Sequence, residues 1–361
     1  MKYWIWLSRL KGTGPVLQKR LLKRFGSPEG VYEAAVDELI EVEGVGRGIA
    51  DNIVASRSFE DSLRIIDSLD KLGGKILTIG DELYPMLGAG VEGAPVVFYY
   101  RGQIRKDLKG IGIVGSRRCS QYGKRVALEA GSILGQKGYA VISGMAKGID
   151  GYAHIGCLKA GGYTIAFLGT GLDICYPREH GDLMEKIVEN GAVISEYPPG
   201  TPGRAEYFPK RNYHISSWSK RLLVVEASER SGALITARNA RDQGREVFAV
   251  PSNIYSATGR GTNRLIDEGA RVYTGPGCLV DKCGQTDAGL LTEEKSTKRT
   301  VERDDLDELE RKVMNAIGDK RFRIQEISEM LEIGQVELSG CLAEMELKGV
   351  LGCVSGVYGV V

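Results

Sequence analysis

Gly115-Ser116-Arg117, followed by Arg118, closes the apolar run GIGIV and precedes a helical stretch. A strand, a glycine turn and a helix in that order aim backbone N–H groups and a helix dipole at an anion. The Ser116 hydroxyl and the Arg117 guanidinium add side-chain donors, and arginine grips phosphate bidentately without any catalytic duty. The turn does not fit a nucleoside-triphosphate loop. Gly115 and Gly123 are eight apart where GxxxxGK[ST] needs five, and Arg125 stands where a magnesium-binding hydroxyl belongs. G-x-G-x-x-G is missing too, which argues against a dinucleotide.

Turns of the same kind recur at the ends of the next apolar runs. SGMAKGIDGYAH sets Lys147 between Gly144 and Gly148, and LGTGLDICYP follows the third run. SEYPPGTPGRAEYFPKRN carries Phe208, Lys210, Arg211 and Asn212, and EASERSGALITA opens a helix with Ser231, Gly232 and Thr236. Cations, small residues and one aromatic repeated in this way suit a backbone of several phosphates better than a single nucleotide. Phe208 beside the cations is placed to stack on an unpaired base. Two bland alternatives stay open: a salt bridge for Arg117, and a core position for the Phe208 ring.

Catalytic groupings are sparse. The histidines are His154, His180 and His214. Asp150 and His154 share a helix face, either as a proton-transfer pair or, the expected arrangement, as a helix cap and a satisfied histidine. A phosphoribohydrolase of the lysine-decarboxylase-like kind is the alternative function, but its PGGxGTxxE site is not matched by SERSGALITA. Cys278 and Cys283 have no second pair and no nearby histidine to complete a zinc set. A binding protein with no metal, no cofactor and no enzymatic activity is expected.

The elements that must position these residues read as an α/β fold. Apolar runs at Gly112–Gly115, Ala140–Ser143, Thr164–Leu168, Ala192–Ser195, Leu222–Glu226, Glu246–Val250 and Arg271–Tyr273 alternate with helical stretches. That pattern predicts a Rossmann-like, doubly wound, mostly parallel sheet with its ligand site at the strands' carboxyl ends. Five segments are expected. Residues 1–60 form a helical domain of SAM or helix-hairpin-helix type, with Gly44 and Gly46 in the hairpin and Glu41 and Glu43 flanking it. Residues 61–109 connect it to the 110–282 core. A polar linker over 283–304 leads to a winged helix over 305–361.

Charge divides along the chain. The 361 residues carry a net charge of only +1, yet Arg105 to Arg271 hold 24 basic and 16 acidic residues, and residues 305–361 hold 6 and 11. The centre suits a polyanion and the tail does not; Glu337, Glu344 and Glu346 sit on its candidate recognition helix. The seven scattered cysteines fit a reducing compartment. The first apolar run is too short for a signal peptide, and no membrane-length segment occurs. A cytoplasmic protein without membrane contact is expected.

In order, GSRRCSQYG, SGMAKGIDGYAH, TIAFLGTGLDICYP, ISEYPPG, YFPKRN, VVEASERSGALITA and LIDEGA resemble the DNA-processing protein A (DprA/Smf) family. The resemblance implies a homodimeric single-stranded DNA binder that acts in natural transformation and DNA recombination. Such a protein protects incoming strands and loads a RecA-type recombinase onto them. It assigns a phosphate pocket to Gly115, Ser116 and Arg117, closed by Ser231 and Gly232. A further backbone contact falls to Lys147, and a strand path to Phe208, Lys210 and Arg211.

Overall fold

In the computed structural model the chain divides into two compact units, 1–282 and 283–361. The structure describes residues 1–280 and, beyond them, 307–318, 320, 322–335, 338, 341, 342, 345, 350–354 and 357–360. The expected linker and most of the expected recognition helix over 335–348 lie outside the described residues.

The first unit begins with α1 (Lys2–Ser8), α2 (Pro15–Phe25), α3 (Pro28–Glu33), α4 (Val36–Ile40), α5 (Arg47–Ala55) and α6 (Glu60–Lys71). Two edge strands follow, β1 (Lys75–Thr78) and β2 (Val97–Gly102), with α7 (Met86–Ala89) between them. Seven strands then match the apolar runs: β3 (Gly110–Val114), β4 (Ala140–Ser143), β5 (Thr164–Leu168), β6 (Gly191–Ser195), β7 (Arg221–Val224), β8 (Glu246–Ala249) and β9 (Arg271–Val272). The intervening helices are α8 (Gln121–Gln136), α9 (Ile149–Lys159), α10 (Gly181–Asn190), α11 (Tyr207–Ser217), α12 (Gly232–Asp242) and α13 (Arg260–Asp267).

The sheet order is β1-β2-β6-β5-β4-β3-β7-β8-β9. From β6 to β9 every pairing is parallel, while β1 pairs β2 and β2 pairs β6 antiparallel. The sheet is thus two strands wider than the apolar runs alone suggest, because the 61–109 stretch contributes an antiparallel edge. Chain order reverses beside β3, which has β4 on one side and β7 on the other. A crevice opens at such a switch point, outside the carboxyl ends of the strands.

Side chains alternate across the strands and fill three layers. Ile142, Phe167, Leu222 and Val224 face α11, α12 and α13, while Ile111, Ile113, Val141 and Leu223 face α8 and α9. The remainder of that second face, with Val97, Tyr99, Leu168 and Val193, shares one core with Leu7, Leu39 and Ile53 of the N-terminal helices. The helical segment therefore forms part of the sheet's covering. Two glycines set how closely α8 and α9 cross. A Cβ on Gly131 would lie 2.3 Å from the Ala153 carbonyl, and one on Gly156 would lie 2.2 Å from that of Leu128. This contact fixes the N-termini of both helices at the crevice.

In the second unit α14 (Glu308–Ile317) and α15 (Ile324–Leu331) accompany the short strands β10 (Phe322–Arg323), β11 (Leu351–Val354) and β12 (Val357–Val360). The strand order is β10-β12-β11, and both pairings are antiparallel. Val313, Ile317, Ile327, Leu338, Leu342 and Leu351 form its core. No helix among the described residues is long and apolar enough to cross a membrane.

Candidate nucleic-acid interface

The loop after β3 is built as a closed scaffold with one free arm. Ser116 Oγ donates to the Arg118 carbonyl at 2.8 Å and accepts from its amide at 3.1 Å, so the hydroxyl is engaged within its own turn. The Ser116 carbonyl accepts from the Ile149 amide at 3.2 Å. Gly148 permits that contact. Its φ is +76°, and a Cβ there would lie 2.3 Å from the Ser116 oxygen. The β3 and β4 loops are thereby locked together at backbone level.

Past the turn, Ser120 caps α8 by accepting from the Gly123 amide at 3.1 Å. Its own amide and hydroxyl both donate to the carboxylate of Glu226, the former at 2.9 Å. Glu226 is buried at the end of β7 and so ties the two sides of the switch point together. The sequence signal for it is a carboxylate ending the apolar run LLVVE.

Arg117 is the free arm. It is exposed, makes no ion pair among the described residues, and sets its guanidinium 5.5 Å from the centre of the Phe208 ring. Phe208 is half-buried against Gly169 and packs 5.3 Å from the Tyr176 ring. A cation beside an aromatic ring is the pairing that accepts a phosphate and a base together.

Arg211 differs from its expected place on the strand path. It is 5% exposed, and its guanidinium donates to the Phe167 carbonyl at 2.9 Å, to the Gly144 carbonyl, and to Asn212 Oδ1 at 3.0 Å. Burial presses its pKa down to about 10, with Asp150 pulling the other way, so it stays charged at neutral pH. Burial likewise pushes the Asp150 carboxyl up, against the pull of Arg211, while Asp150 Oδ2 accepts from the Gly144 amide at 3.2 Å. The pair supports the floor of the site. Lys147 also differs, being ion-paired to Glu179 at the rim, so its charge faces a carboxylate already present.

Ser231 caps α12 through the Ala233 amide at 3.3 Å, and the buried Thr236 hydroxyl donates back to the Gly232 carbonyl at 3.4 Å. With Gly115, Ser116, Arg117, Arg211 and Asn212 they line a depression of about 270 Å³ at the switch point. A smaller one of about 60 Å³ adjoins it, lined by Arg117, Lys147, Gly169, Tyr176, Phe208 and Arg211. Arg117 borders both. Lys210 is exposed and lines neither, and Gly148 acts from behind through the loop it packs.

His154 is separate from this chemistry. It is fully buried; Thr164 Oγ1 donates to the Val141 carbonyl, so His154 Nδ1–H must be the donor in its 2.7 Å contact with Thr164. Its bond is to Thr164, not to Asp150, which caps the β4 loop instead. Burial carries the His154 pKa down from 6.5 to about 3. At the N-terminal hairpin, Gly44 has a φ of +92° and Arg20 donates to the Glu43 carbonyl at 3.0 Å. Arg20, Arg24 and Arg47 there each face a carboxylate: Glu43, Glu41, and both Asp37 and Asp51. Among the described residues no group of three or more His, Cys, Asp or Glu could hold a metal ion.

Residues 75–283 match the family model of the DNA recombination-mediator protein A, and residues 7–57 that of a SAM-like helix-hairpin-helix tandem. Protein Smf of a Synechocystis strain is 31% identical over 98% of this chain and 97% of its own. DNA processing protein A of Streptococcus pneumoniae is similar in structure with a TM-score of 0.67 and 30% identity, covering 77% of this chain and 96% of that one. The Helicobacter pylori protein, whose structure is described as showing its single-stranded DNA binding mode, aligns at a TM-score of 0.51 and 24% identity. It covers 57% of this chain and 93% of that one.

Two outcomes follow for stability. Arg117→Ala should leave the urea midpoint nearly unchanged, whereas Arg211→Ala should cost about 3–5 kcal/mol by leaving the buried Gly144 and Phe167 carbonyls without their donor beside Asp150. Equal midpoints for the two variants would contradict the buried-pair assignment. The His154 value in the folded chain lies below the unfolded one. Its contribution is therefore present above pH 6.5 and lost as pH falls from 6.5 toward 3, at up to about 1.4 kcal/mol per pH unit. Denaturation at several pH values should show a shallower acid loss for His154→Asn than for the parent chain.

Proposed function

The chain belongs to the DNA recombination-mediator protein A family (DprA/Smf), and we propose that it binds single-stranded DNA along the carboxyl edge of its sheet. The observation that carries this reading is the exposed Arg117 guanidinium, free of any ion pair among the described residues, lying over the half-buried Phe208 ring at the switch point. Guanidinium and ring offer one contact for a phosphate and one for a base. The N-termini of α8, α9 and α12, the first and last capped by Ser120 and Ser231, lie at the same edge and favour negative charge there. The single-stranded DNA binding of the Helicobacter pylori neighbour is consistent with this.

The mechanism is positioning without bond-making. The Asp150–Arg211 floor and the Ser116–Gly148 contact hold the loops still, so that strand binding orders few protein groups. A homodimer would present two such edges to one strand, protect it in the cytoplasm, and pass it to a RecA-type recombinase during natural transformation or DNA recombination. We take the protein to be a mediator, with no catalytic turnover of its own and no cofactor. The segments proposed are a 1–60 helical domain, a 61–109 connection, a 110–282 binding core, a 283–304 linker and a 305–361 winged helix.

Fluorescence anisotropy with labelled single and double strands tests the binding. Single strands should bind more tightly than duplex and lose affinity steeply with salt, and Arg117→Ala should weaken them by about 1–3 kcal/mol. Equal or tighter duplex binding, or salt-independent affinity, would refute the reading. The acidic winged-helix segment is assigned to docking a basic protein partner. Deleting residues 305–361 should leave single-strand affinity unchanged while impairing recombinase loading. A large loss of strand affinity on deletion would show that the tail itself contacts DNA.

A further inference from the structure

The loop that leaves the carboxyl end of β8 is held firmly at its base. Tyr122 Oη donates to the Pro251 carbonyl at 3.3 Å. Ser252 and Asn263 exchange two hydrogen bonds, both 2.9 Å, from backbone to side-chain amide. The Gly261 amide donates to the Ala227 carbonyl at 2.8 Å, which seats α13 against the loop between β7 and α12. At the tip, Asn253 Oδ1 accepts from the Tyr255 amide at 2.9 Å and the Asn253 carbonyl accepts from Ser256 at the same distance. This is a braced turn, yet the two side chains at its tip are turned outward. Ile254 is 71% exposed and Tyr255 is 86% exposed.

The position of this turn suggests its use. β8 neighbours β7, whose exit loop carries Ser231 and Gly232, and the order β5-β4-β3-β7-β8 runs from Phe208 on Gly169 to Tyr255. Four strand spacings span about 19 Å, which a stacked single strand covers with about six nucleotides and a stretched one with fewer. Arg117 stands along that line, as does Arg230, exposed and with no ion pair among the described residues. A tyrosine ring on an ordered turn gives a stacking face at little entropic cost, and every base can use it.

We propose that the Ile254–Tyr255 turn is a second stacking platform for single-stranded nucleic acid, extending the path from Phe208 across the switch point to β8. This rests on the single-strand reading above. The test is anisotropy of the full chain with oligothymidylates of about 3 and about 20 nucleotides, lengths short of and beyond the span from Phe208 to Tyr255. Tyr255→Ala should weaken the longer strand by roughly fivefold or more and leave the shorter within about twofold, while Tyr255→Phe restores binding. Arg117→Ala should weaken both lengths. Unchanged affinity of Tyr255→Ala for the longer strand, or equal losses at both lengths, overturns the platform. So does a loss that follows a changed oligomeric state in sedimentation, which would make the turn a contact between copies of this chain. If the parent chain binds neither length, the single-strand reading itself fails. Parent binding with an indifferent Tyr255→Ala removes only the extension.

Discussion

Asp150 and Arg211, both buried and joined through a single glycine residue, organise the carboxyl edge of this sheet. Asp150 accepts from the amide of Gly144 and Arg211 donates to its carbonyl, so the β4 exit loop, α9 and α11 are fastened at a single residue. A fourth element joins through the Phe167 carbonyl near the end of β5. Polar groups so far from water are costly to bury, and these are tolerated because backbone amide and carbonyl groups complete their bonding. Gly144 has to be glycine in this arrangement, since a Cβ would sit 2.3 Å from the Arg211 guanidinium. The rigidity of the surface depends on largely buried groups at its floor.

The exposed groups take their geometry from that foundation. Gly148 brings the β4 loop against the Ser116 carbonyl, and Glu226 holds Ser120 from the β7 side. Arg117 is left as a side chain with a fixed backbone and a free end. A flexible loop would have to be ordered by its ligand, at about 1–2 kcal/mol per residue. Here that ordering is complete before any strand arrives.

The legible parts of the structure were those governed by local rules. Near-continuous apolar runs between helices give β3 to β9, and glycine turns at strand ends give the site's position. That KILT and VFYYRG join this sheet as an antiparallel edge was less visible, because the pairing runs through β2 to β6, which lies far along the chain. PKRN reads as a solvated basic patch, and only the tertiary structure shows that Arg211 turns inward while Lys210 faces out. Lys147 looked like a phosphate contact because Glu179, its partner, is remote in sequence. Glu226 went without a role for the same reason: its hydrogen bonds reach back to Ser120 across 106 residues. Pairings distant in sequence, unlike periodicity, leave no trace in spacing.

Charge pairing also separates two regions that sequence alone leaves on similar footing. The N-terminal hairpin has glycines suited to phosphate, but Arg20, Arg24 and Arg47 around it are each opposed by a carboxylate. A phosphate arriving there must displace or sit beside those carboxylates, and like-charge proximity offsets much of the gain. At the sheet edge Arg117 makes no ion pair among the described residues and lies beside an aromatic ring, which carries no net charge to oppose an incoming anion. Arg117 is therefore available to a ligand in a way that the hairpin's cations, and central ones such as Lys147, are not. Selection between the two surfaces comes from how the positive charges are already partnered, more than from how many there are.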